Sequence, residues 1–220
     1  MVVVKEYEPM GKGKYRAVFD NGVSCVLYRW EAARFSLKTG SFLNEEQYST
    51  LIEEIIGKRA KRRAMHILEQ MDRTEHELRE KLTKSEYPEE CIDDAIEYVK
   101  KYKYIDDERY AFNYVRFHQE KLSKQQLKVK LSQKVVNKEL ITAALESEYE
   151  ADDEEKIRTI LEKKHYDYEK MDRKECNRVY QYILRRGFKS NDILKVMRGF
   201  SENCTIYWLQ SEVYILYCLT

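Results

Sequence analysis

The chain has 220 residues, of which 36% are charged and 43% hydrophobic, and its 40 Lys and Arg almost balance its 39 Asp and Glu. This balance argues against a chain that is disordered by self-repulsion and against a protein that binds DNA through its overall charge. Because residues 58–186 contain no Gly and a single Pro, an all-β fold with many tight turns is disfavoured and a mainly helical body is expected.

The first 57 residues are predicted to form a small β-containing extension. Residues 14–28 contain two β-rich runs on either side of Asn21-Gly22, a pair that favours a hairpin because both central turn positions need positive φ. Residues 2–7 are a candidate third strand, residues 45–56 show apolar residues at helical spacing, and a linker is predicted around Gly57. Since two or three short strands are not stable alone, we expect the extension to pack against helices or a partner.

Capping signals divide the remainder into predicted helices. Three capping boxes each offer a side-chain acceptor to free amides at a helix start: Thr74-x-x-Glu77, Ser123-x-x-Gln126 and Asp172-x-x-Glu175. Single residues suited to a helix start mark other positions: Pro88, Asp106, Asn137, Asp152 and Asn191. The predicted helices span 58–70, 75–84, 88–101, 107–121, 124–133, 138–148, 153–164, 174–186 and 191–199.

These helices fall into three internal repeats. A shift of 49 residues superposes six apolar positions, and a further shift of 52 superposes them on a third copy. The aligned sets are Leu78, Leu82, Tyr87, Ile92, Ala95 and Ile96; Leu127, Leu131, Val136, Ile141, Ala144 and Leu145; and Val179, Ile183, Phe188, Ile193, Val196 and Met197. The pattern predicts a mainly α fold of three tandem three-helix repeats in an elongated, curved array with an extended binding surface.

The predicted organisation has five parts. They are the N-terminal extension (1–57), the three helical repeats (58–104, 105–150 and 151–203) and an apolar C-terminal tail (204–220) without an assigned role.

No constellation of catalytic or metal-binding residues is recognisable. The five cysteines are scattered, the four histidines lack ligand spacing, and no phosphate-binding loop or nucleophile-elbow motif occurs. The sequence therefore predicts a protein that is not an enzyme and has no cofactor or metal. Scattered cysteines favour reduced, mostly buried thiols, and neither a secretory leader nor an apolar run of ~18 residues is present, so a cytoplasmic location is expected.

Three motifs stand in order on the repeat scaffold. They are Glu77-Leu78-Arg79-Glu80-Lys81-Leu82, Tyr104-Ile105-Asp106-Asp107-Glu108-Arg109-Tyr110-Ala111 and Arg185-Arg186-Gly187-Phe188. Together they resemble the RecX family of bacterial regulatory proteins over residues 58–200. The extension is similar to the β-containing extension of some members through Leu37-Lys38-Thr39-Gly40-Ser41-Phe42-Leu43.

The resemblance implies a non-enzymatic regulator that takes part in DNA repair, homologous recombination and the SOS response. RecX proteins bind the RecA recombinase, lie in the groove of its filament on single-stranded DNA, and modulate its activity, often by inhibition. We expect a monomer that meets single-stranded DNA mainly through the filament and does not bind a membrane. Whether this chain inhibits or stimulates RecA is left open by the sequence.

The chain departs from the family pattern at three places. Lys134-Val135-Val136 stands where the family typically has Lys-Gly-Ile, and Leu122-Ser123-Lys124 stands where it often has a glycine. The tail 204–220, which contains Trp208 and two cysteines, matches nothing known of the family.

Two groups of cations are the candidate contacts with DNA or RecA. The first cation cluster comprises Lys58, Arg59, Lys61, Arg62 and Arg63, and the lysine cluster comprises Lys121, Lys124, Lys128, Lys130, Lys134 and Lys138. Each is either a solvated helix face, with stems along an apolar stripe, or a strip of phosphate contacts. The first cluster would also oppose the dipole of a helix that begins there, unless the preceding helix continues into it. Nearby tyrosines either pack at the edge of the core or stack on bases.

The family-motif residues have structural and functional interpretations as well. Asp106-Asp107 either cap a helix or contact a basic partner, and Arg109 belongs to the same motif. Arg185-Arg186 suit the negative end of a helix and are also candidate partner contacts. Gly187 suits a left-handed residue that ends the helix, and Phe188 a buried position in the following turn.

The leading hypothesis is a RecX-like regulator that engages RecA filaments through the concave face of its repeats. Two alternatives remain open from the sequence: a helical-repeat adaptor for an unrelated protein, with the cations merely solvated, and a direct DNA-binding protein.

Overall fold

The computed structural model of the chain describes residues 1–167 and 170–199. Those residues are mainly helical, with a small sheet at the N-terminus, and they divide into two compact units. Unit 1 comprises Met1–Tyr110 and Lys134–Val136, and unit 2 comprises Ala111–Gln133 and the described part of Asn137–Thr220. The apolar tail 204–220 lies outside the described residues.

Four antiparallel strands form the sheet in the order β3-β2-β1-β4. They are β1 (Val2–Gly11), β2 (Lys14–Phe19), β3 (Ser24–Tyr28) and β4 (Phe42–Leu43). The predicted hairpin is confirmed, because β2 pairs with β3. Its turn has positive φ at Gly22 (+85°) but not at Asn21, so the expectation of positive φ at both central positions is wrong. The candidate strand at 2–7 is also confirmed, and it extends to Gly11, where a further turn leads into β2.

The sheet leads into the first repeat without a linker. After α1 (Arg29–Arg34), α2 (Glu45–Ser49) continues as a π-helical segment (Thr50–Gly57) and then directly as α3 (Lys58–Gln70). The linker predicted at Gly57 is therefore wrong: this residue has a helical φ of −61° and is buried. A Cβ at Gly57 would approach the Ile52 carbonyl to 3.3 Å, so glycine serves close packing here rather than a break in the chain.

One apolar core joins the sheet to the first repeat, whose other helices are α4 (Glu75–Thr83) and α5 (Glu89–Lys101). Phe19 and Leu27 of the sheet are buried in the same cluster as Ile56, Leu78 and Ile96. This confirms the expectation that the extension packs against helices, since burial of these apolar surfaces supplies the stability that short strands lack.

The second and third repeats contain six further helices. They are α6 (Asp107–His118), α7 (Lys124–Gln133), α8 (Lys138–Glu148), α9 (Asp153–Lys163), α10 (Arg173–Leu184) and α11 (Ser190–Gly199). All nine predicted helices are confirmed in the described residues. Most ends agree within two residues, whereas α6 ends three residues early and α11 begins before Asn191, which is therefore not its cap. None of the described helices is long and apolar enough to span a bilayer.

The aligned apolar positions form the cores of the repeats. All eighteen are buried except Tyr87 and Val179, which are partly buried. The third repeat has its own cluster, which includes Ile157, Ile183 and Ile193. The helical periodicity of the sequence therefore identified the inward face of each repeat correctly.

The three described cysteines, Cys25, Cys91 and Cys176, are free and buried, as expected. Burial raises the pKa of the Cys25 and Cys91 thiols to about 12, which makes both poor nucleophiles at neutral pH.

Repeat junctions and candidate binding surfaces

The second turn of every repeat contains one residue in the left-handed conformation. These residues are Glu86 (φ +58°), Val135 (φ +58°) and Gly187 (φ +78°), and they occupy the same place in the 49- and 52-residue alignment. We call the turns around them the junction turns. Each follows the middle helix of its repeat, where a left-handed residue commonly ends a helix.

Two junction turns accept a hydrogen bond from the helix cap of the preceding repeat. Thr74 Oγ1 donates to the Lys134 carbonyl over 3.1 Å, and Ser123 Oγ donates to the Arg186 carbonyl over 2.7 Å. Each hydroxyl also accepts from the amide three residues ahead, at 3.3 Å for Thr74 and 3.2 Å for Ser123. Both side chains are fully buried. A single hydroxyl thus completes the predicted capping box and connects one repeat to a turn of the next.

Lys134 strengthens the first of these connections. Its Nζ lies 2.6 Å from Glu77 Oε1 and 5.4 Å from the centre of the Tyr110 ring. Burial alone would lower the pKa of Lys134, but its hydrogen bonds with Glu77 and Tyr110 outweigh that effect and raise it. Lys134, a candidate DNA contact, is therefore engaged within unit 1, with a side chain only 25% exposed.

The junction turn of the first repeat has no preceding repeat to contact. Its partner is the sheet that comes before it in the chain. Arg16 of β2 makes a two-pronged contact with Glu86, with Nε–Oε2 and Nη2–Oε1 distances of 2.8 and 2.7 Å. The left-handed residue of this turn thus carries the carboxylate that receives the extension.

At the third repeat the cap is a carboxylate. Asp172 accepts from the Glu175 amide over 2.7 Å, and Glu175 accepts from the Asp172 amide over 3.1 Å, which completes the third predicted capping box. An ionised carboxylate has no proton to donate, so this cap cannot form the outgoing bond that Thr74 and Ser123 form.

The motif Asp106-Asp107 caps two helices. Asp106 Oδ1 accepts from the Arg109 amide over 2.9 Å and so caps its own helix α6, while Asp107 Oδ1 accepts from the Glu75 amide over 3.0 Å at the start of α4. The Arg109 guanidinium donates to the carbonyls of Lys103 and Tyr104, at 3.2 and 3.4 Å. Burial is the largest cause of the raised pKa of Asp107. These contacts support the capping interpretation of this motif.

The motif at the end of α10 divides into buried and exposed parts. Gly187 is left-handed and Phe188 is 5% exposed, as a turn and a core position require. Arg185 and Arg186 are exposed, and the Arg186 guanidinium lies 4.6 Å from the Tyr182 ring centre. Only the two arginines of this motif are therefore accessible to a partner.

The first cation cluster separates into a packed arginine and exposed cations. Arg59 lies 2.6 Å from the buried carboxylate of Glu31, donates to the Val26 carbonyl, and its guanidinium carbon lies 4.9 Å from the Tyr28 ring centre. Its side chain is 16% exposed, so Arg59 joins α3 to the sheet. Because α2 continues into α3, no helix begins at this cluster and the predicted conflict with a helix dipole does not arise.

The other members of the first cation cluster differ in their partners. Lys58 pairs with Glu54, and Lys61 lies 3.8 Å from Asp94. Arg62 and Arg63 are exposed and have no carboxylate within 4 Å among residues 1–167 and 170–199. Two guanidinium groups are therefore available to a ligand.

Most of the lysine cluster is exposed to solvent. Five of its members are exposed and make no ion pair within the described part of the chain: Lys121, Lys124, Lys128, Lys130 and Lys138. Lys124, Lys128 and Lys130 flank the buried Leu127 and Leu131 stripe of α7. These three lysines present positive charge to solvent within unit 2, whereas Lys134 belongs to unit 1.

The structure thus defines the class of protein: a small N-terminal sheet is followed along the chain by three consecutive three-helix repeats. No group of three or more His, Cys, Asp or Glu residues suited to a metal occurs among the residues described. Three RecX family models match the chain in order, the first three-helix domain at residues 60–98, the second at 106–145 and the third at 152–197. The chain belongs to the RecX family.

Relatives support this assignment, and solved structures share the fold. The chain is 32% identical over 174 residues to Regulatory protein RecX from Clostridium acetobutylicum, covering 76% of this chain and 81% of that protein. It is 31% identical to Regulatory protein RecX from Clostridium beijerinckii, covering 74% and 78%. A crystal structure of regulatory protein RecX superposes with a TM-score of 0.59 at 23% identity over 89% of this chain and 98% of that one. RecX from Lactobacillus salivarius gives a TM-score of 0.54 at 21% identity over 66% and 96%.

Proposed function

We propose that this RecX-type regulator binds the RecA recombinase and its filament on single-stranded DNA, and that it lowers recombinase activity. The observation that carries the proposal is the ordered set of three RecX three-helix domains. The partner follows from the resemblance of its motifs to RecX proteins. We propose further that it acts in the cytoplasm as a monomer, by binding and not by catalysis.

The exposed lysines of α7 are the proposed contact. Lys124, Lys128 and Lys130 reach solvent from one helix and have no carboxylate partner among the described residues. A filament of protein on DNA offers both acidic side chains and phosphates, and either would attract these cations. Lys134 is left out of the proposed contact because it pairs with Glu77.

The first test is the DNA-dependent ATPase of RecA. RecA, ATP and single-stranded DNA are incubated with increasing amounts of the full chain, and the initial rate of hydrolysis is followed. We expect the rate to fall as the chain saturates the filament. An unchanged rate and unchanged filament length in electron micrographs, at several-fold molar excess, would contradict the proposal.

The contact is tested by a triple variant in which Lys124, Lys128 and Lys130 become Ala. We expect about tenfold weaker filament binding and a smaller dependence of affinity on salt, because three charge contacts are lost. The matched control replaces three other exposed lysines, Lys5, Lys38 and Lys81, which also have no ion pair among the described residues. Equal weakening in both triple variants would show that net charge, and not this helix face, governs binding.

A further inference from the structure

A groove of about 780 Å³ opens on unit 1, whereas the lysines of α7 belong to unit 2. Its floor is the exposed side of the π-helical segment and α3, which includes Ile55, Arg62 and Met65. Trp30 and Arg34 of α1 and Tyr98 of α5 also line it. All these residues belong to unit 1, so the groove is formed within one compact body.

The free charge of the groove is positive. Two of the three acids that line it are paired with cations, Glu31 with Arg59 and Glu54 with Lys58. The third, Glu69, lies 3.8 Å from His66, which carries charge only when protonated, so one acid stands against the two arginines that follow. Arg34 and Arg62 are exposed and have no carboxylate within 4 Å in the described ranges. Exposed guanidinium groups without a carboxylate partner bind anions, and their planar donors match phosphate oxygens particularly well.

Exposed aromatic rings accompany these cations. Trp30 is 63% exposed, which is unusual for so large an apolar side chain. Tyr98 begins a row of exposed tyrosines, with its ring centre 4.9 Å from that of Tyr102, which lies 6.5 Å from that of Tyr104. Lys101 is exposed beside this row. Several accessible ring faces next to unpaired cations form the combination by which proteins bind single-stranded nucleic acid.

We propose that this groove is a binding surface for single-stranded nucleic acid that works without RecA. Arg34 and Arg62 take backbone phosphates, Trp30 and Tyr98 stack on bases in the groove, and Tyr102 and Tyr104 continue the stack beyond its lining. An acidic peptide would satisfy the guanidinium groups but has no comparable use for four exposed ring faces. The proposal does not rest on the proposed filament contact, which involves a different unit.

The test measures binding of the full chain to a fluorescein-labelled oligo(dT) 20-mer by anisotropy at a series of salt concentrations, with no RecA present. We expect saturable binding whose affinity falls with salt. Trp30→Ala should weaken it about tenfold through loss of one stacked base. Arg62→Ala should weaken it too and reduce the slope of log affinity against log salt by about 0.7, the value for one phosphate on a single strand.

Matched controls separate this surface from general charge and apolarity. Phe117→Ala removes a ring that is 73% exposed on α6, and Lys81→Ala removes an exposed cation on α4. Both should bind oligo(dT) like the parent. A third readout uses a Trp208→Phe background, in which Trp30 is the remaining tryptophan of the two, and its fluorescence should be quenched on binding.

Three results would overturn the proposal. They are absence of binding at low salt, equal losses in the control and groove variants, and unquenched Trp30. Poly-glutamate that competes fully with oligo(dT), with Trp30→Ala without effect, would instead assign the groove to an acidic peptide. A failure here with normal inhibition of RecA leaves the proposed function intact, because that function is read from ATPase activity.

Discussion

The junction turns at Val135 and Gly187 make the same kind of contact with the preceding repeat, although their left-handed residues differ. Both follow a middle helix, both are left-handed, and both present a carbonyl to a buried hydroxyl of the preceding repeat. At Gly187 a Cβ would lie 3.0 Å from Gln125 Cβ and 3.1 Å from Ser123 Oγ. Val135 instead turns a side chain that is 57% exposed towards solvent.

The two junction turns share the hydrogen bond and the left-handed backbone. Glycine is needed only at Gly187, where the neighbouring helix approaches closely. A β-branched residue with positive φ is strained, and Val135, which is 57% exposed, gains little burial to offset that strain. The departure from the family's Lys-Gly-Ile pattern is therefore accommodated sterically, at a cost in stability.

The largest effect is expected from Ser123→Ala. The substitution removes the cap of α7 and leaves the Arg186 carbonyl without its donor, so the free energy of unfolding should fall by about 3 kcal/mol. Urea unfolding followed by circular dichroism measures this, and hydrogen exchange at the Gln126 amide localises it. Ser123→Thr retains the hydroxyl, as in Thr74, and should stay near the parent. Equal midpoints for the parent and the Ala variant would show that the Ser123 hydroxyl does not stabilise this junction turn.

Gly187→Ala should cost about 2 kcal/mol in the same unfolding measurement, from the left-handed backbone and the close approach of α7. Gly187→Asn separates the two causes, because Asn tolerates positive φ but still carries a Cβ. If Asn were as stable as Gly, crowding against Gln125 would be excluded as a cause.

Val135→Gly should act in the opposite direction and stabilise the chain by about 0.5–1 kcal/mol. Relief of backbone strain exceeds the extra entropy that glycine brings to the unfolded chain. Val135→Ala removes only the β-branch and should recover a smaller part, as read from thermal unfolding. A destabilised Gly variant would mean that the Val135 side chain makes a favourable contribution despite its exposure.

The smallest effect is expected at the lysines of α7. Replacing Lys124, Lys128 and Lys130 by Ala should leave the free energy of unfolding within about 0.5 kcal/mol of the parent, as is usual for exposed sites. Lys134→Ala should cost more, about 1 kcal/mol, because the partly buried Glu77 loses its cation at 2.6 Å and keeps only the more distant Arg73 at 3.9 Å. If the triple variant lost more free energy of unfolding than Lys134→Ala, the lysines of α7 would be structural and Lys134 would not.

Local features of the sequence were sufficient for the helices, their caps and their buried faces. Apolar periodicity identified positions such as Leu127 and Ile141, and the Ser123-x-x-Gln126 pattern identified a cap, because these features involve residues within one or two turns of each other. The prediction of a linker at Gly57 failed because a local feature was not sufficient there. The role of this glycine depends on close packing in a π-helical segment and not on its neighbours in sequence.

Partners far apart in the chain could not be predicted. The sequence does not show that Ser123 meets Arg186, that Asp107 caps α4, or that Arg59 is paired with Glu31 while Arg62 is not. Trp30 and Arg34 were missed as candidates altogether, since only the fold brings α1 beside the exposed side of α3. The nearest signal in the sequence was the first cation cluster, of which Lys58, Lys61 and Arg62 line that groove.

The caps of the three repeats differ in whether they can donate a hydrogen bond. Thr74 and Ser123 each accept a bond from their own helix and donate one onward, whereas Asp172 can only accept. A fourth repeat grafted after α11 would find no donor at Asp172, and exchange of that residue for Ser or Thr would be the first change needed to lengthen the protein. One atom, a hydroxyl hydrogen, distinguishes the caps of the first two repeats from the cap of the third.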